Sequence, residues 1–249
     1  MGKVYFIGAG PGDPELLTVK GLKLLKKCGV VIYAGSLINK EFLSFTTAKE
    51  LYDSSKLNLN QIISIMEQAI NRGLDVARLH SGDPSVYGAI AEQINELKKR
   101  SIEYEVIPGI SAAFAAAASL GVELTAPQIS QTILISRVEG RTPMPEGEDL
   151  SRIAKCPGTV CLYLSVNRIE EISKAFLKHR KPDTAVAVCY KVSWDDEMVV
   201  KGTLADISKK VKQKGINRQA VVIIGEALKE NIQAYSKLYD EKFSHGFRD

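Results

Sequence analysis

The sequence predicts an α/β protein with two αβα domains, each built around a mostly parallel or mixed sheet. In the first half, short apolar runs alternate with segments whose apolar residues recur at helical spacing, a pattern typical of parallel strands joined by helices. The second half repeats this alternation, but a short loop before Met198 permits antiparallel pairing there. With 249 residues, 45% of them hydrophobic and 25% charged, the chain is long enough for two such domains.

Residue patterns locate each element of the first half. A continuous apolar run predicts a strand over residues 3–7, and further short strands are predicted over 30–33, 76–79 and 104–107. Helical periodicity predicts helices over 16–27, over 62–70 with Gly73 as C-cap, over 90–97, and over 111–118 with Ser111 at the N-terminus. Because strand and helix alternate throughout, we expect an open, mostly parallel sheet covered by helices.

The pattern changes between residues 121 and 127, where helical periodicity stops, and we place a domain linker there. We therefore expect an N-terminal domain over 1–120, a C-terminal domain over 128–229 and a peripheral tail over 230–249. Strands of the second domain are predicted over 132–135, 159–164, 185–189, 198–201 and 220–224. Its helices are predicted over 169–176 and 204–214, and a polar loop runs from 137 to 149.

Composition disfavours several classes of protein. The formal net charge is +4 at pH 7 and no dense basic stripe interleaved with aromatics stands out, so we expect an acidic small molecule rather than nucleic acid as partner. Cys28, Cys156, Cys161 and Cys189 form no C-x-x-C pair, which favours reduced, mostly buried thiols and a cytoplasmic protein. No apolar run approaches the ~18 residues of a membrane span, so neither a signal peptide nor a membrane anchor is expected.

The apolar run that opens the chain leads directly into a glycine turn. Its glycines are Gly8, Gly10 and Gly12, whereas a dinucleotide fingerprint needs G-x-G-x-x-G, and Asp13 stands where the third glycine should fall. The G-K-[ST] of a phosphate loop does not follow either. The sequence therefore predicts a sharp strand-to-loop turn, stiffened by proline, that brings main chain close to a ligand.

Three glycine-bearing turns follow predicted strands of the first domain, over residues 8–14, 81–84 and 108–112. In a parallel sheet such turns lie at the carboxyl edge, where ligands bind, and we expect these three to converge on one cleft. Any one of them alone is better explained as a tight connection between elements. Asp13 and Asp83 each precede a proline, where capping a helix or ordering the turn is the simplest role.

Neither a metal centre nor a covalent nucleophile is indicated. His80, His179 and His245 are far apart and lack the spacing of a zinc site. His80 ends a strand at the expected cleft, but we interpret it as a structural histidine with satisfied hydrogen bonds. No G-x-S-x-G elbow or ordered serine, histidine and carboxylate set occurs, so a covalent hydrolase is disfavoured and no catalytic residue is assigned.

A polar loop from Arg137 to Glu148 opens the second half. Its twelve residues contain two arginines, two prolines and two glycines, a composition suited to a semi-rigid segment that presents guanidinium groups to carboxylates. The alternative is a solvated loop whose arginines pair with Glu139, Glu146 and Glu148. Spacing alone does not choose between these two interpretations.

Several short motifs occur in register along residues 4–226. They are GAGPGDP at 8–14, LTVKG at 17–21, GDP at 82–84, PGISA at 108–112, LYL at 162–164 and VKGTL at 200–204. In this order they resemble the tetrapyrrole methylase family, whose members transfer a methyl group from S-adenosylmethionine. A set of motifs in order is far more specific than a lone glycine loop.

Two segments narrow the resemblance within that family. YAGSLI at 33–38 and QTILISRVEGRTPMPE at 131–146 are similar to the branch that methylates C-11 of precorrin-4 or cobalt-precorrin-4 in cobalamin biosynthesis. The branch that acts on uroporphyrinogen III carries an aspartate where this chain has Ala34, which counts against methylation at C-2 and C-7. The diphthine synthases and ribosomal RNA methylases of the family lack this pair of segments.

The resemblance implies an active-site cleft between two αβα domains, S-adenosylmethionine as methyl donor, no protein-bound metal and, usually, a homodimer. The donor contacts that it implies are Pro11, Gly82, Asp83, Val86, Ser111, Ala112, Leu164, Tyr190 and Val192. It also implies that the first glycine loop, with Gly10, Gly12 and Asp13, faces the tetrapyrrole. We hypothesise that the acetate and propionate groups of this acidic substrate are held by Arg137, Arg141 and Arg168.

Other functions remain alternatives at this point. A methylase of the same fold that acts on another precorrin position, on rRNA or on a protein is one, and an RNA methylase predicts salt-sensitive binding through a basic face. A dinucleotide-dependent oxidoreductase requires a third glycine and an acidic residue after the second strand, where this chain has Asp13 and Ala34. The motifs alone also leave open a non-catalytic regulator that binds a ligand.

Overall fold

A computed structural model describes residues 2–229 together with Ser236, Phe243, Ser244 and Gly246. The tail predicted over 230–249 lies outside the described residues apart from those four. Each half of the described chain is built around a five-stranded sheet flanked by helices. The predicted α/β class with two sheets is therefore confirmed.

The contacts divide the chain into two compact units. Unit 1 consists of Met1–Ala115 together with Lys191–Asp196, and unit 2 consists of Ala116–Tyr190 together with Glu197–Asp249. The short segment Lys191–Asp196 thus belongs to unit 1, although it connects two strands of the second half of the sequence.

Unit 1 contains an all-parallel sheet. Its strands are β1 (Val4–Gly8), β2 (Val30–Tyr33), β3 (Glu50–Asp53), β4 (Val76–His80) and β5 (Tyr104–Ile107), in the order β3-β2-β4-β1-β5. Its helices are α1 (Val19–Lys27), α2 (Leu59–Asn71) and α3 (Ile90–Lys99), followed by α4 (Ala112–Leu120), which runs from unit 1 into unit 2. The glycine turns that follow β4, β1 and β5 therefore leave three neighbouring strands.

Capping residues set where the helices of unit 1 begin. The helix predicted from residue 16 begins at Val19, because the Thr18 hydroxyl accepts a hydrogen bond from the backbone N–H of Gly21. A capping box starts α2, and Gly73 (φ +76°) follows its C-terminus, as the sequence predicts. The edge strand β3 was not predicted, since its Glu-Leu-Tyr-Asp sequence is polar and only partly buried.

Alternate residues of the unit 1 strands supply a core on each face of the sheet. Val4 and Phe6 pack with Met66 of α2 on one face. Ile7 and Leu25 of α1 pack on the opposite face. Burial on both faces explains why these strands appear in the sequence as continuous apolar runs.

Unit 2 contains a mixed sheet. Its strands are β6 (Ile133–Arg137), β7 (Thr159–Tyr163), β8 (Ala185–Tyr190), β9 (Met198–Thr203) and β10 (Ala220–Ile224), in the order β6-β7-β10-β8-β9. Its helices are α5 (Leu150–Ile153), α6 (Ile169–Phe176) and α7 (Ile207–Gln213), and α7 begins three residues after the predicted start. Strands β6 and β7 are parallel, whereas β9 pairs antiparallel with β8, as the short connection predicts. Phe176 and Val211 of the helices pack on this sheet in one large core.

Candidate active site

The three glycine turns of unit 1 converge, as predicted. Gly10 and Gly82 form a two-residue antiparallel bridge in which each backbone N–H donates to the carbonyl of the other, at 3.2 and 2.7 Å. The turns after β1 and β4 are therefore held together by main chain rather than by side chains. This arrangement fixes the positions of both turns relative to the sheet.

Close packing makes glycine obligatory at the meeting point. A β-carbon built on Gly8 would lie 2.6 Å from the nitrogen of Gly109 and 2.7 Å from the carbonyl oxygen of Gly82. A β-carbon on Gly109 would overlap that same oxygen. Because the obstructing atoms are backbone, they cannot move aside as a flexible side chain would. We refer to Gly8, Gly82 and Gly109 as the glycine triad.

Asp83 joins the second turn to the third. Its carboxylate accepts hydrogen bonds from the backbone N–H of Gly109 at 2.9 Å and of Ser85 at 2.8 Å, and from the Ser85 hydroxyl. Burial raises the pKa of Asp83, but these hydrogen bonds lower it by more, so the pKa lies below its ordinary value. The carboxylate is thus ionised at neutral pH and orders the turn, which is the simpler of the roles expected for it.

A strained loop follows Asp83. Tyr87 and Ala89 both adopt left-handed backbone conformations, with φ of 55° and 49°. Non-glycine residues persist in this region only where their surroundings impose it, and they occur often at ligand sites. Val86, one of the predicted donor contacts, lies in this loop, and its N–H donates to the carbonyl of Asp83 at 3.1 Å.

Small residues line the start of α4. Ser111 is buried, and its carbonyl accepts hydrogen bonds from the N–H groups of Phe114 and Ala115 at 3.0 and 3.2 Å. In the direction of the missing side chain of Gly82, the nearest atoms belong to residues 110–112 and lie at 3.8 to 4.0 Å. A β-carbon on Gly82 would thus be in ordinary van der Waals contact with the start of α4, and it is the φ of 65° at Gly82 that favours glycine there.

Leu164 and Tyr190 follow or end strands of unit 2. Leu164 comes directly after β7, has φ of 55°, and leaves 68% of its surface exposed. An exposed leucine held in a strained conformation suits an apolar ligand contact. Tyr190 is the last residue of β8 and is partly buried.

The first glycine loop is held in place by side chains from distant segments. The indole N–H of Trp194 donates to the carbonyl of Pro11 at 2.8 Å, and the Ser193 hydroxyl accepts from the N–H of Asp13 at 2.9 Å. Asn39 donates to the carbonyl of Gly12 at 3.2 Å. Sequence reasoning missed these three side chains, and the only local signal was that the single tryptophan of the chain falls in a loop.

Asp13 caps the helical turn that follows it, as expected. Its carboxylate accepts a hydrogen bond from the N–H of Glu15 at 2.8 Å. Beside it, unit 1 contains a pocket of about 620 Å³, whose wall includes the carboxylates of Asp13, Glu15, Glu41 and Asp195 together with Trp194. This concentration of negative charge repels acidic groups, so the pocket does not suit the carboxylate arms of a tetrapyrrole.

Two of the three predicted substrate arginines form hydrogen bonds or ion pairs with other residues of the chain. Arg137 donates to the carbonyls of Thr142 and Pro143 at 3.2 and 2.7 Å, and so closes its own loop. Arg168 pairs with Glu171 at 2.7 Å. Arg141 is exposed and has no hydrogen-bond or ion-pair partner among residues 2–229. The pairing of Arg137 and Arg141 with Glu139, Glu146 and Glu148 is not observed.

His80 corrects one prediction. It is 4% exposed, but its Nε2 has no hydrogen-bond partner, so it is a buried histidine that is not fully satisfied. Burial, together with the nearby charge of Arg78, lowers the pKa of His80 to about 3, and the ring is neutral at pH 7. Arg78 is also buried, which lowers its pKa to about 10, and it donates to the side chain of Gln93 at 3.2 Å. His80 ends β4 beside the glycine triad, but it is not connected to an acid or base.

Within residues 2–229 and the four described residues beyond them, no group of three or more histidine, cysteine or acidic side chains is arranged to hold a metal ion. No helix in the described part of the chain has both the length and the apolar surface needed to cross a bilayer.

A parallel sheet whose glycine turns meet at its carboxyl edge is typical of α/β proteins that bind a ligand there. The profile of the tetrapyrrole (corrin/porphyrin) methylases matches residues 3–208, and the chain belongs to that family. A cobalt-precorrin-4 C(11)-methyltransferase of Methanocaldococcus jannaschii is 52% identical over 99% of this chain and 96% of that protein. A precorrin-4 C(11)-methyltransferase of Pseudomonas aeruginosa is 46% identical over 98% of both chains.

Solved structures agree with the sequence comparison. The X-ray structure of a cobalt precorrin-4 methyltransferase, a cobalamin biosynthetic enzyme, has a TM-score of 0.89 and 41% identity, covering 91% of this chain and 96% of that chain. A uroporphyrin-III C-methyl transferase from Thermus thermophilus, complexed with S-adenyl homocysteine, has a TM-score of 0.77 and 28% identity, covering 92% and 94%. The fold predicted from the sequence is therefore that of the family.

Proposed function

We propose that the protein transfers a methyl group from S-adenosylmethionine to C-11 of cobalt-precorrin-4 or precorrin-4 in cobalamin biosynthesis. The observation that carries this proposal is the glycine triad, because it brings three turns together at the carboxyl edge of a parallel sheet, where ligands bind in such folds, in a chain that resembles precorrin-4 methylases over its full length. The two segments at 33–38 and 131–146 support the choice of C-11 within the family.

We propose that the donor is bound by the residues that the family resemblance implies. They are Pro11, Gly82, Asp83, Val86, Ser111, Ala112, Leu164, Tyr190 and Val192. The close approach of the Gly82 turn to Ser111 and the small residues that begin α4 support this assignment. When bound, S-adenosylmethionine supplies a methyl group on a positively charged sulfur. Asp83 orders the turns around the donor through the backbone of Ser85 and Gly109.

The tetrapyrrole is proposed to lie against the first glycine loop at Gly10, Gly12 and Asp13. Of the three candidate arginines, Arg141 is the one whose guanidinium group is unengaged and exposed, so it binds a carboxylate arm of the substrate directly. Arg137 and Arg168 support that loop, because Arg137 closes it and Arg168 donates to the carbonyl of Glu139.

Methyl transfer to an electron-rich carbon is an in-line displacement, so alignment of the two reactants supplies much of the acceleration. The protein needs no covalent nucleophile for this step, in agreement with the absence of a catalytic pair among the predicted site residues. The macrocycle gains positive charge as the methyl group arrives. We assign the stabilisation of that charge to the carboxylates beside the loop, Asp13 and Asp195, because a full negative charge stabilises a cation more strongly than a carbonyl dipole does.

We further propose that the protein acts in the cytoplasm as a homodimer and binds neither nucleic acid nor a membrane. The four cysteines are all free, which suits a reducing compartment. Size-exclusion chromatography with light scattering tests the oligomeric state, and a monomer at micromolar concentration would contradict the dimer.

The function is tested by incubating the protein with S-adenosylmethionine labelled in its methyl group and with precorrin-4 or cobalt-precorrin-4 in turn. NMR of the product then locates the label, which we expect at C-11 of at least one of the two. Label at another carbon would contradict the assignment within the family, and no transfer to either macrocycle would contradict the substrate class. Calorimetric titration with S-adenosylhomocysteine and with NAD, of which only the former is expected to bind, separates this function from that of an oxidoreductase.

A further inference from the structure

The segment Lys191–Asp196, which we call the tryptophan strap, connects β8 to β9 but packs with unit 1. Two of its side chains bind the main chain of the first glycine loop. Trp194 donates to the carbonyl of Pro11 and Ser193 accepts from the N–H of Asp13, across 183 and 180 residues of sequence. The strap therefore holds both sides of Gly12 through its own side chains.

The contact with Gly12 is also steric. A β-carbon built on Gly12 would overlap the Cδ1 and Nε1 atoms of Trp194. The indole ring thus occupies the space that any side chain at residue 12 would need. Glycine at this position is explained by the tryptophan and not by an unusual backbone angle, since Gly12 is not among the residues with positive φ.

Internal interactions make the strap stiff. Lys191 and Ser193 both have left-handed backbone conformations, with φ of 44° and 65°. Lys191 forms an ion pair with Asp196 at 2.6 Å, and its ammonium lies 5.1 Å from the centre of the Trp194 ring. Val192 is buried, with 4% of its surface exposed. Strain of this kind is maintained only by surroundings that determine the conformation fully, which suits a segment that sets the position of another.

We infer that Trp194 is a positioning residue that holds the first glycine loop in the conformation that receives the tetrapyrrole. This inference rests on the proposed function, because it requires that loop to be a substrate contact. Trp194 acts on the backbone at Pro11 and Gly12 and does not take part in methyl transfer itself. Its loss therefore weakens use of the tetrapyrrole while the donor site around the glycine triad is preserved.

The test compares Trp194→Phe with wild type in three measurements on the full-length protein. Phenylalanine keeps an aromatic ring but removes the N–H donor, so we expect kcat/KM for the tetrapyrrole to fall about tenfold, as for the loss of one hydrogen bond. Pro11 is also a proposed donor contact, but the other donor contacts are retained, so the dissociation constant of S-adenosylhomocysteine should rise by no more than about twofold. Ser44→Ala is the matched control. Ser44 lines the same acidic pocket as Trp194, but its hydroxyl donates to the carbonyl of Glu41 and not to the first glycine loop. This substitution should change neither kcat/KM nor the dissociation constant.

Gly12→Ala provides a second, independent test. The added methyl group should displace the indole, and since Trp194 is the only tryptophan, its fluorescence emission should shift to longer wavelength while the circular dichroism spectrum is retained. Replacement of Trp194 by alanine removes the three atoms nearest to the methyl group at residue 12, all of which belong to the indole. The kcat/KM of Gly12→Ala/Trp194→Ala should therefore equal that of Trp194→Ala alone.

The inference is overturned if Trp194→Phe keeps the wild-type kcat/KM for the tetrapyrrole. It is also overturned if the affinity for S-adenosylhomocysteine falls by the same factor as kcat/KM, because equal losses would mean that Trp194 has a general structural role. Additive effects of the substitutions at residues 12 and 194 would overturn it as well. Transfer to a carbon other than C-11 would contradict only the proposed regiochemistry, since the kcat/KM ratio can be measured on that reaction. A wild-type protein that methylates neither tetrapyrrole would overturn both proposals.

Discussion

The glycine triad of unit 1 and the Arg137–Asp149 loop of unit 2 are built in opposite ways. In the triad, backbone touches backbone, and a methyl group added at Gly8 or Gly109 has no room. In the loop, Gly140 has no atom within 4 Å of the position of a β-carbon, and Arg141 projects without a partner in the described chain. Main-chain packing fixes the first region, whereas exposed side chains define the second.

This difference separates two tasks that the proposed reaction requires. A donor common to a whole family can be bound by backbone geometry that tolerates almost no change. A substrate that differs between branches is better recognised by exposed side chains, which can be replaced without disturbing the fold. Substitutions in the triad should therefore alter stability and donor binding together, and substitutions in the loop should alter substrate binding alone.

The largest effect is expected for Gly109→Ala. The new β-carbon overlaps the carbonyl of Gly82, and because backbone must shift, we expect a loss of about 3 kcal/mol in the free energy of unfolding and loss of measurable S-adenosylhomocysteine binding. Urea unfolding and calorimetric titration measure these quantities. Gly140→Ala is the control for the same chemical change, and it should leave both unaltered. Equal effects of the two substitutions would break the comparison.

Asp83→Ala should have the next largest effect. Removal of the carboxylate leaves the N–H groups of Gly109 and Ser85 without their partner, at a cost of about 1–3 kcal/mol in unfolding free energy. Because the pKa of Asp83 is lowered by folding, its stabilisation is complete above the unfolded value of about 3.9 and is lost as the pH falls through the folded pKa. Between pH 7 and pH 3 the free energy of unfolding should therefore decrease less in Asp83→Ala than in wild type. An acid profile parallel to that of wild type would argue against this role of the carboxylate.

Arg141→Ala tests the second region. Loss of the guanidinium group should raise the KM for the tetrapyrrole about tenfold, the equivalent of 1.4 kcal/mol, because one charge-assisted contact with a carboxylate disappears. The unfolding midpoint and the donor affinity should not change, since Arg141 is exposed and forms no hydrogen bond or ion pair in the described chain. Arg141→Lys keeps the charge but not the bidentate geometry and should recover part of the KM. An unaltered KM in Arg141→Ala would remove this residue from the substrate site.

The smallest effect at neutral pH is expected for His80→Met, an apolar replacement of similar size. Since Nε2 of His80 has no partner, its removal should change stability little at pH 7. The folded pKa of about 3 lies below the unfolded value of about 6.5, so wild type loses stability as the pH falls from 6.5 toward 3. At pH 5 the free energy of unfolding of His80→Met should therefore be larger than that of wild type. Equal pH dependence of the two proteins would mean that His80 is solvated in solution.

Much of unit 1 could be predicted because its inner strands are buried on both faces. Residues 30–33, of which the first three are buried, were predicted with the bounds that the structure shows. The bounds of 104–107 were also correct, although β5 is an edge strand in which only Ile107 is buried. The same pattern cannot reveal an edge strand such as β3, whose Glu50 and Asp53 face water and other side chains. Its position depends on pairing with β2, a tertiary interaction.

The convergence of the three glycine turns could also be predicted, because it follows from strand order and the direction of a parallel sheet. The hydrogen bonds from Trp194 and Ser193 to the first turn could not be predicted, since contacts across about 180 residues produce no periodic pattern in the sequence. The internal role of Arg137 was missed for a similar reason. Its partners are backbone carbonyls, which every residue possesses, so the residue types in the loop do not indicate them.

The separation between Pro11 and Trp194 has a consequence for the order in which the protein is made. A ribosome adding about 5–20 residues each second needs roughly 10–40 s to pass from one to the other. Once β5 has been made, the nascent first sheet has its strands, but the loop after β1 still lacks the indole that fastens it. A truncated protein that ends at Ala115 would carry the glycine triad and still lack that contact. The fastened form of the first glycine loop thus arises only after translation has passed Trp194.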